Sequence, residues 1–73
     1  MMHINMEKTG KNIQSIIKQN NHTVKDIQNL FNFNGPQAVY KWQRGECLPD
    51  IEKLMIMASL FNIPMESFII MEE

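Results

Sequence analysis

Residues 31–54 read FNFNGPQAVYKWQRGECLPDIEKL, and the punctuation in this stretch decides the fold. Asn34 or Gly35 reads as a helix cap, with Pro36 in the first turn, where a missing amide costs nothing and a fixed φ suits the helix. Gly45 closes that helix, because glycine supplies the left-handed conformation in which helices commonly end. Leu48-Pro49-Asp50 then opens the next one: Pro49 forces an extended approach and Asp50 is a good N-cap. Inside the first of these helices, residues 36–44, Val39 and Trp42 lie three apart and face inward. Gln37, Tyr40, Lys41 and Arg44 are left on the outward side.

Upstream, Thr23-Val24-Lys25-Asp26 fits a capping box, in which the threonine hydroxyl takes the amide of Asp26 and the carboxylate reaches back. Val24, Ile27, Leu30 and Phe31 follow at steps of three and four, an apolar stripe on a helix too short to be stable without packing. Asn32 ends it, and Phe33 supplies an apolar plug inside the turn. Earlier still, from Thr9, Ile13, Ile16 and Ile17 share one face of a helix, with Lys11, Asn12, Gln14, Ser15 and Lys18 covering the other and Asn20-Asn21 as the stop. Residues 1–7 show no periodicity and are expected to form a flexible arm.

Downstream, residues 51–61 place Ile51, Leu54, Met55, Ala58 and Phe61 on one side, with Ile56, Met57 and Leu60 on flanking or opposite sides. A helix apolar nearly all round belongs at the centre of a domain. Asn62 is its natural C-cap, and Pro64 begins a last helix through Met65, Phe68, Ile69 and Met71. With no strand pattern and no internal repeat, the expectation is one all-α, five-helix domain spanning residues 1–73. At this length only about 60% of the unfolded surface is buried, so stability rests on a compact core. The methionines at or beyond Met55 read as core filler.

Composition narrows the function. No run of ~18 apolar residues is present to span a membrane, and the N-terminus lacks a secretory signal, so a cytoplasmic location is expected. Cys47 is the sole cysteine, which excludes a disulfide within the chain and a thiolate zinc cage; it is expected to be inert or partly buried. His3 and His22 have no converging partners, so no metal is expected. No phosphate loop, nucleophile–base pair or paired carboxylates appear, and neither an enzyme nor a cofactor is expected. The net charge of −1 conceals an asymmetry: residues 1–45 carry six lysines and arginines against Glu7 and Asp26, whereas residues 46–73 carry Lys53 against six acids. One face suited to polyanions follows from that division.

A short helix, a tight turn holding an apolar plug, and a second helix with polar outward residues form the helix-turn-helix arrangement. Its second helix enters the DNA major groove, which is wide enough for a helix and displays distinguishable base edges. Gln37 is the base-reading candidate, since its amide pairs bidentately with adenine; Lys41 reaches guanine acceptors or phosphate, and Tyr40 touches sugar-phosphate or a thymine methyl. Arg44, at the helix end, holds phosphate. The full candidate set for double-stranded DNA is Asn34, Gly35, Gln37, Tyr40, Lys41, Arg44 and Lys25.

PQAVYKWQRG followed by LPD, after a capped short helix, resembles the phage-repressor-like (Xre-type) helix-turn-helix family, and the likeness extends over about Lys8 to Ile70. The resemblance implies a five-helix domain, sequence-specific DNA binding in transcription regulation, and a homodimer on a palindromic site. Four positions depart from the family pattern. The glutamate after the tryptophan is Gln43 and its usual arginine partner is Ile17, so both members of an ion pair are replaced together and no buried charge is stranded. Val24 stands where a polar residue touches phosphate, and Gln28 where a small residue is usual at the helix crossing. Together with the few cations, these predict weak binding by one subunit, with a salt slope of about −3 if ~3 phosphates are neutralised. A protein-interaction module on the same fold, using the apolar run Phe68 to Met71, is the alternative.

Overall fold

The computed structural model describes residues 1–73, which run in the order β1 (His3–Ile4), α1 (Met6–Gln19), α2 (Val24–Leu30), α3 (Gln37–Gln43), α4 (Ile51–Phe61), one 3-10 turn (Met65–Phe68) and β2 (Met71–Glu72). The core draws Ile13 and Ile17 from α1, Ile27 from α2, Val39 and Trp42 from α3, Leu54, Met57, Ala58 and Phe61 from α4, and Phe68 from the 3-10 turn. Every buried side-chain nitrogen and oxygen has a hydrogen-bond partner.

All four α-helices stop by one device. A residue at positive φ follows each: Asn21 (62°), Asn32 (56°), Gly45 (75°) and Asn62 (57°). The residue after it donates its N–H back across the last turn, as in His22 to Ile17 (3.0 Å), Phe33 to Gln28 (2.9 Å), Glu46 to Lys41 (3.0 Å) and Ile63 to Ala58 (3.0 Å). Carbonyls orphaned at the helix end are thereby satisfied. Asparagine serves at three of the four positions because its short amide tolerates a conformation that costs other side chains about 1–2 kcal/mol.

Helix starts are equally local. Thr23 and Asp26 complete the capping box in both directions, at 3.1 and 2.8 Å, and the Asp50 carboxylate accepts the Lys53 N–H at 2.9 Å. The start of α3 differs by one residue from expectation: Pro36 is the N-cap, neither Asn34 nor Gly35 caps, and no side chain hydrogen-bonds there.

Residues 1–7 are not an arm. His3–Ile4 pairs antiparallel with Met71–Glu72, and Asn5 caps α1 by accepting the Lys8 N–H at 2.8 Å, so this helix begins at Met6 rather than Thr9. The fold is therefore four helices with a small sheet, not five helices alone.

The expected last helix is a single 3-10 turn, because α1 captures the backbone that a longer helix would use. Asn12 Nδ2 donates to the carbonyls of Ser67 (2.8 Å) and Phe68 (3.0 Å). Thr9, fully buried, accepts the Ile70 N–H at 2.9 Å, and the Asn5 N–H takes the Ile70 carbonyl at 2.8 Å. Phe68 is consequently core, whereas Ile69 and Ile70 are half-buried and Met71 is 45% exposed, and Ile69 and Met71 line an apolar groove with Ile4, Leu48 and Ile51.

The buried face of α4 is Leu54, Met57, Ala58 and Phe61, whereas Ile51 and Met55 are 67% and 58% exposed. Met57, fully buried, takes the inward place expected of Met55. Lys53 lies on the side opposite Ile51 and Met55, its ammonium 5.8 Å from the ring centres of both Phe31 and Phe33, a cation–π contact toward the α2–α3 turn. Leu30, expected in the α2 stripe, is likewise 41% exposed.

Candidate nucleic-acid interface

The turn between α2 and α3 is held by aromatic rings. Phe33, the apolar plug, lies 5.7 Å from Phe31 and 5.9 Å from Trp42, and Phe31 meets Trp42 edge-on at 6.1 Å. These tilted and edge-on arrangements are the ones ring quadrupoles favour. The Gln28 amide closes the turn by donating to the Phe33 carbonyl at 3.5 Å. Gln28 thus spends its side chain on the turn.

Two glycines set the angle of α3 against α1. A Cβ on Gly10 would stand 2.5 Å from the Gln43 carbonyl oxygen and 2.6 Å from that of Trp42. A Cβ on Gly45 would stand 2.6 Å from the Met6 carbonyl oxygen, and its φ of +75° independently favours glycine. The first half of α1 therefore rides directly on the carboxyl end of α3, backbone against backbone. Glycine inside a helix costs about 1 kcal/mol relative to alanine, so Gly10 itself carried the signal of a close approach.

With α3 clamped on that side, its outward arc is free. At 100° per residue, Gln37, Tyr40, Lys41 and Arg44 fall within about a quarter-turn of one another, opposite buried Val39 and Trp42. All four are exposed, as are Asn34 and Lys25, while Gly35 is half-buried. Asn34, Gly35, Gln37 and Lys41 line one groove together with Phe33, Ala38 and Cys47. The Gln37 side-chain amide folds back over the Gly35 α-carbon. Tyr40 lines a second groove with Lys18, Thr23, Val24 and Gln43. Lys25 lines neither groove.

Ion pairing sorts the cations. Lys8 binds Glu72 at 2.6 Å, Lys11 binds Glu7 at 3.3 Å, and Arg44 is paired through Nε with Glu46. Lys18, Lys25 and Lys41 have no carboxylate partner. The Arg44 hydrogen bond holds the Glu46 carboxyl below its ordinary range, with Lys41 a lesser contributor, and the same bond raises Arg44. Lys18 was missed in the sequence because it reads as the solvated face of α1; its signal was its place in the last turn of the helix leading into α2. Cys47 is exposed rather than partly buried, and the closing turn at Gly45 is what brings it beside Gln37 and Lys41. Ile17 and Gln43 line the Tyr40 groove together, so the two uncharged residues are neighbours.

No group of histidine, cysteine, aspartate and glutamate is placed to hold a metal ion, and no helix is long and apolar enough to cross a membrane. The exposed arc of α3 presents an amide, a phenol, an ammonium and a guanidinium on a rigid helix, a set able to hydrogen-bond base edges and phosphates.

No family model and no curated protein matches the chain. Among solved structures its fold is similar to the S. venezulae BldD DNA-binding domain, with a TM-score of 0.69, covering 89% of this chain and 96% of that one at 14% identity.

Proposed function

We propose that this chain is a sequence-specific, double-stranded-DNA-binding transcription regulator of the phage-repressor-like (Xre) type that inserts α3 into the major groove. The observation that carries the reading is the exposed arc Gln37, Tyr40, Lys41 and Arg44, on a helix whose opposite side is fixed in the core by Val39 and Trp42. In that pose the Gln37 amide swings off Gly35 to pair with adenine, Lys41 reaches guanine or phosphate, and Tyr40 meets sugar-phosphate or a thymine methyl. Arg44 holds phosphate, and Lys18, grouped with Tyr40, adds a backbone contact. Val24 packs against the core, so it gives phosphate no grip. Affinity per subunit is modest for this reason, and the protein works as a homodimer on a two-fold site. The outward side of α4, where Ile51, Met55, Ile56 and Leu60 are 67%, 58%, 40% and 47% exposed, supports that association.

In vitro selection of bound duplexes, followed by fluorescence anisotropy, tests the proposal. Gln37→Ala should cost about 1–3 kcal/mol and relax one base position, while Lys41→Ala should flatten the salt slope by about 1. Bound duplex should also slow alkylation of Cys47, which shares the groove of Gln37 and Lys41. Absence of binding to any duplex at low salt refutes the reading. The apolar α4 face favours a second one, a protein-interaction module on the same fold; stoichiometric co-purification with a protein and without nucleic acid would select it.

A further inference from the structure

We propose that Glu46 is an internal competitor for DNA phosphate: in the free protein its carboxylate occupies Arg44, so the duplex backbone must displace it before that cation of the reading helix engages. This rests on the DNA-binding reading above. Glu46 is not a loose loop residue. Its N–H is tied to the Lys41 carbonyl at 3.0 Å and the preceding Gly45 N–H to that of Trp42 at 3.1 Å, and Gly45 is wedged against Met6. The side chain therefore leaves from a fixed point at the carboxyl end of α3 and pairs with Arg44 Nε.

The helix ending gives no structural reason for an acid at this place. In such a termination the residue after the left-handed one commonly makes an apolar contact with the residue five before it. The corresponding residues after α1, α2 and α4 are His22, Phe33 and Ile63, two rings and an aliphatic chain, whereas after α3 the position holds Glu46, opposite Lys41. A carboxylate is also disfavoured at a helix C-terminus, where the backbone already presents partial negative charge. What Glu46 does do is neutralise one cation of the arc that meets phosphate. Of the arc's two cations, Arg44 is paired and Lys41 is the only one left free.

Phosphate contacts carry no base information, so weakening them lowers affinity for every duplex alike. Base contacts then supply a larger share of the binding, and one subunit does not hold DNA by charge alone.

The test measures wild type, E46Q, R44Q and the double variant by anisotropy, on a selected duplex and a scrambled one, between about 50 and 200 mM salt. E46Q should tighten both duplexes by the same factor, about tenfold at the low-salt end, and steepen the salt slope by about 1 without lowering the melting temperature. In the R44Q background the gain should shrink to about threefold or less, the part owed to Lys41. Wild-type binding with no change of affinity or slope in E46Q overturns the proposal. So does a full tenfold gain that survives R44Q, or a gain confined to the selected duplex. If neither wild type nor E46Q binds any duplex, the DNA-binding reading falls and this proposal with it.

Discussion

Replacing Gly10 with alanine tests whether α1 sets the angle of α3. On helix propensity alone the substitution stabilises, by about 1 kcal/mol, because glycine is poor in a helix interior. Packing gives the opposite sign. The added Cβ falls 2.5 Å from the Gln43 carbonyl oxygen, 2.6 Å from that of Trp42 and 2.8 Å from the Gly45 nitrogen, whereas ordinary contact begins at 3.4 Å. All three neighbours are backbone, so none can rotate aside, and the two helices must part by most of an ångström. Overpacking typically costs about 1–3 kcal/mol, and three rigid contacts place this site at the upper end. The net expectation is a loss of about 2 kcal/mol. A domain of this size has about 4–11 kcal/mol in total, so the variant stays folded at room temperature. At about 4–8 °C per kcal/mol, its melting temperature should drop by about 8–16 °C. Thermal and urea unfolding followed by far-UV circular dichroism and Trp42 fluorescence measure this, with exposed Ser15→Ala on the same helix as the control, expected to gain a few tenths of a kcal/mol. A Gly10→Ala protein that melts higher than wild type would refute the close approach and the clamp built on it.

Two further outcomes follow from local geometry. Asn32→Ala should lose about 1 kcal/mol in denaturant titration, because alanine lacks the amide that eases a φ of 56°, while Asn32→Gly should stay within a few tenths; equal stability of both would mean that the left-handed stop contributes nothing. The backbone N–H of Thr23 holds Asp26, and that of Lys53 holds Asp50, below the ordinary 3.8, and the Lys8 ammonium holds Glu72 below 4.5. A depressed carboxyl adds stability that is complete above the ordinary value and is lost as pH falls through the folded one. Melting temperature should therefore be level from about pH 6 to 5 and fall below about pH 4.5; a rise on acidification would contradict these pairings.

What was legible in the sequence is what neighbouring residues decide among themselves. The Thr23–Asp26 box, the Asp50 cap, the stops at Asn32, Gly45 and Asn62, and the inward Val39–Trp42 pair all depend on residues within one turn. The α3 arc followed from them, because two inward residues fix the remaining face. What was not legible depends on pairings across the chain. Thr9 meets Ile70 and Asn12 meets Ser67, and the sheet joins His3 to Glu72, so the N-terminal arm and the fifth helix were misread together. The inward face of α4 is lost in the same way, since a helix apolar on every side carries no phase of its own and the choice of Met57 over Met55 is made by packing against the rest of the core. Glu46 lies only two residues from Arg44, yet their pairing requires the left-handed turn at Gly45 between them.

The supports of α3 also explain how one short helix can be stable in place and still free to read. Seven residues do not hold a helix in water, so its position is imposed from outside. Phe33 presses on Trp42 near the helix end, Gly10 and Gly45 bring α1 against the same end, and Lys53 fixes the rings behind the turn. The glycine contacts and Lys53 act away from Gln37, Tyr40 and Lys41, and Phe33, which lines the groove of Gln37 and Lys41, is held by its rings rather than by those two side chains. Those three residues consequently have no part in holding the domain together, and substitutions there should change binding while leaving unfolding within about 0.5 kcal/mol of wild type. Substitutions at Gly10, Phe33 or Trp42 should do the reverse at first and lose binding only through the displaced helix. Arg44 adds one coupling to this separation, because it pairs with a carboxylate whose backbone the helix ending itself positions. Glu46 therefore serves both through different groups: its backbone N–H closes the frame of α3, and its carboxylate sets the charge beside Arg44.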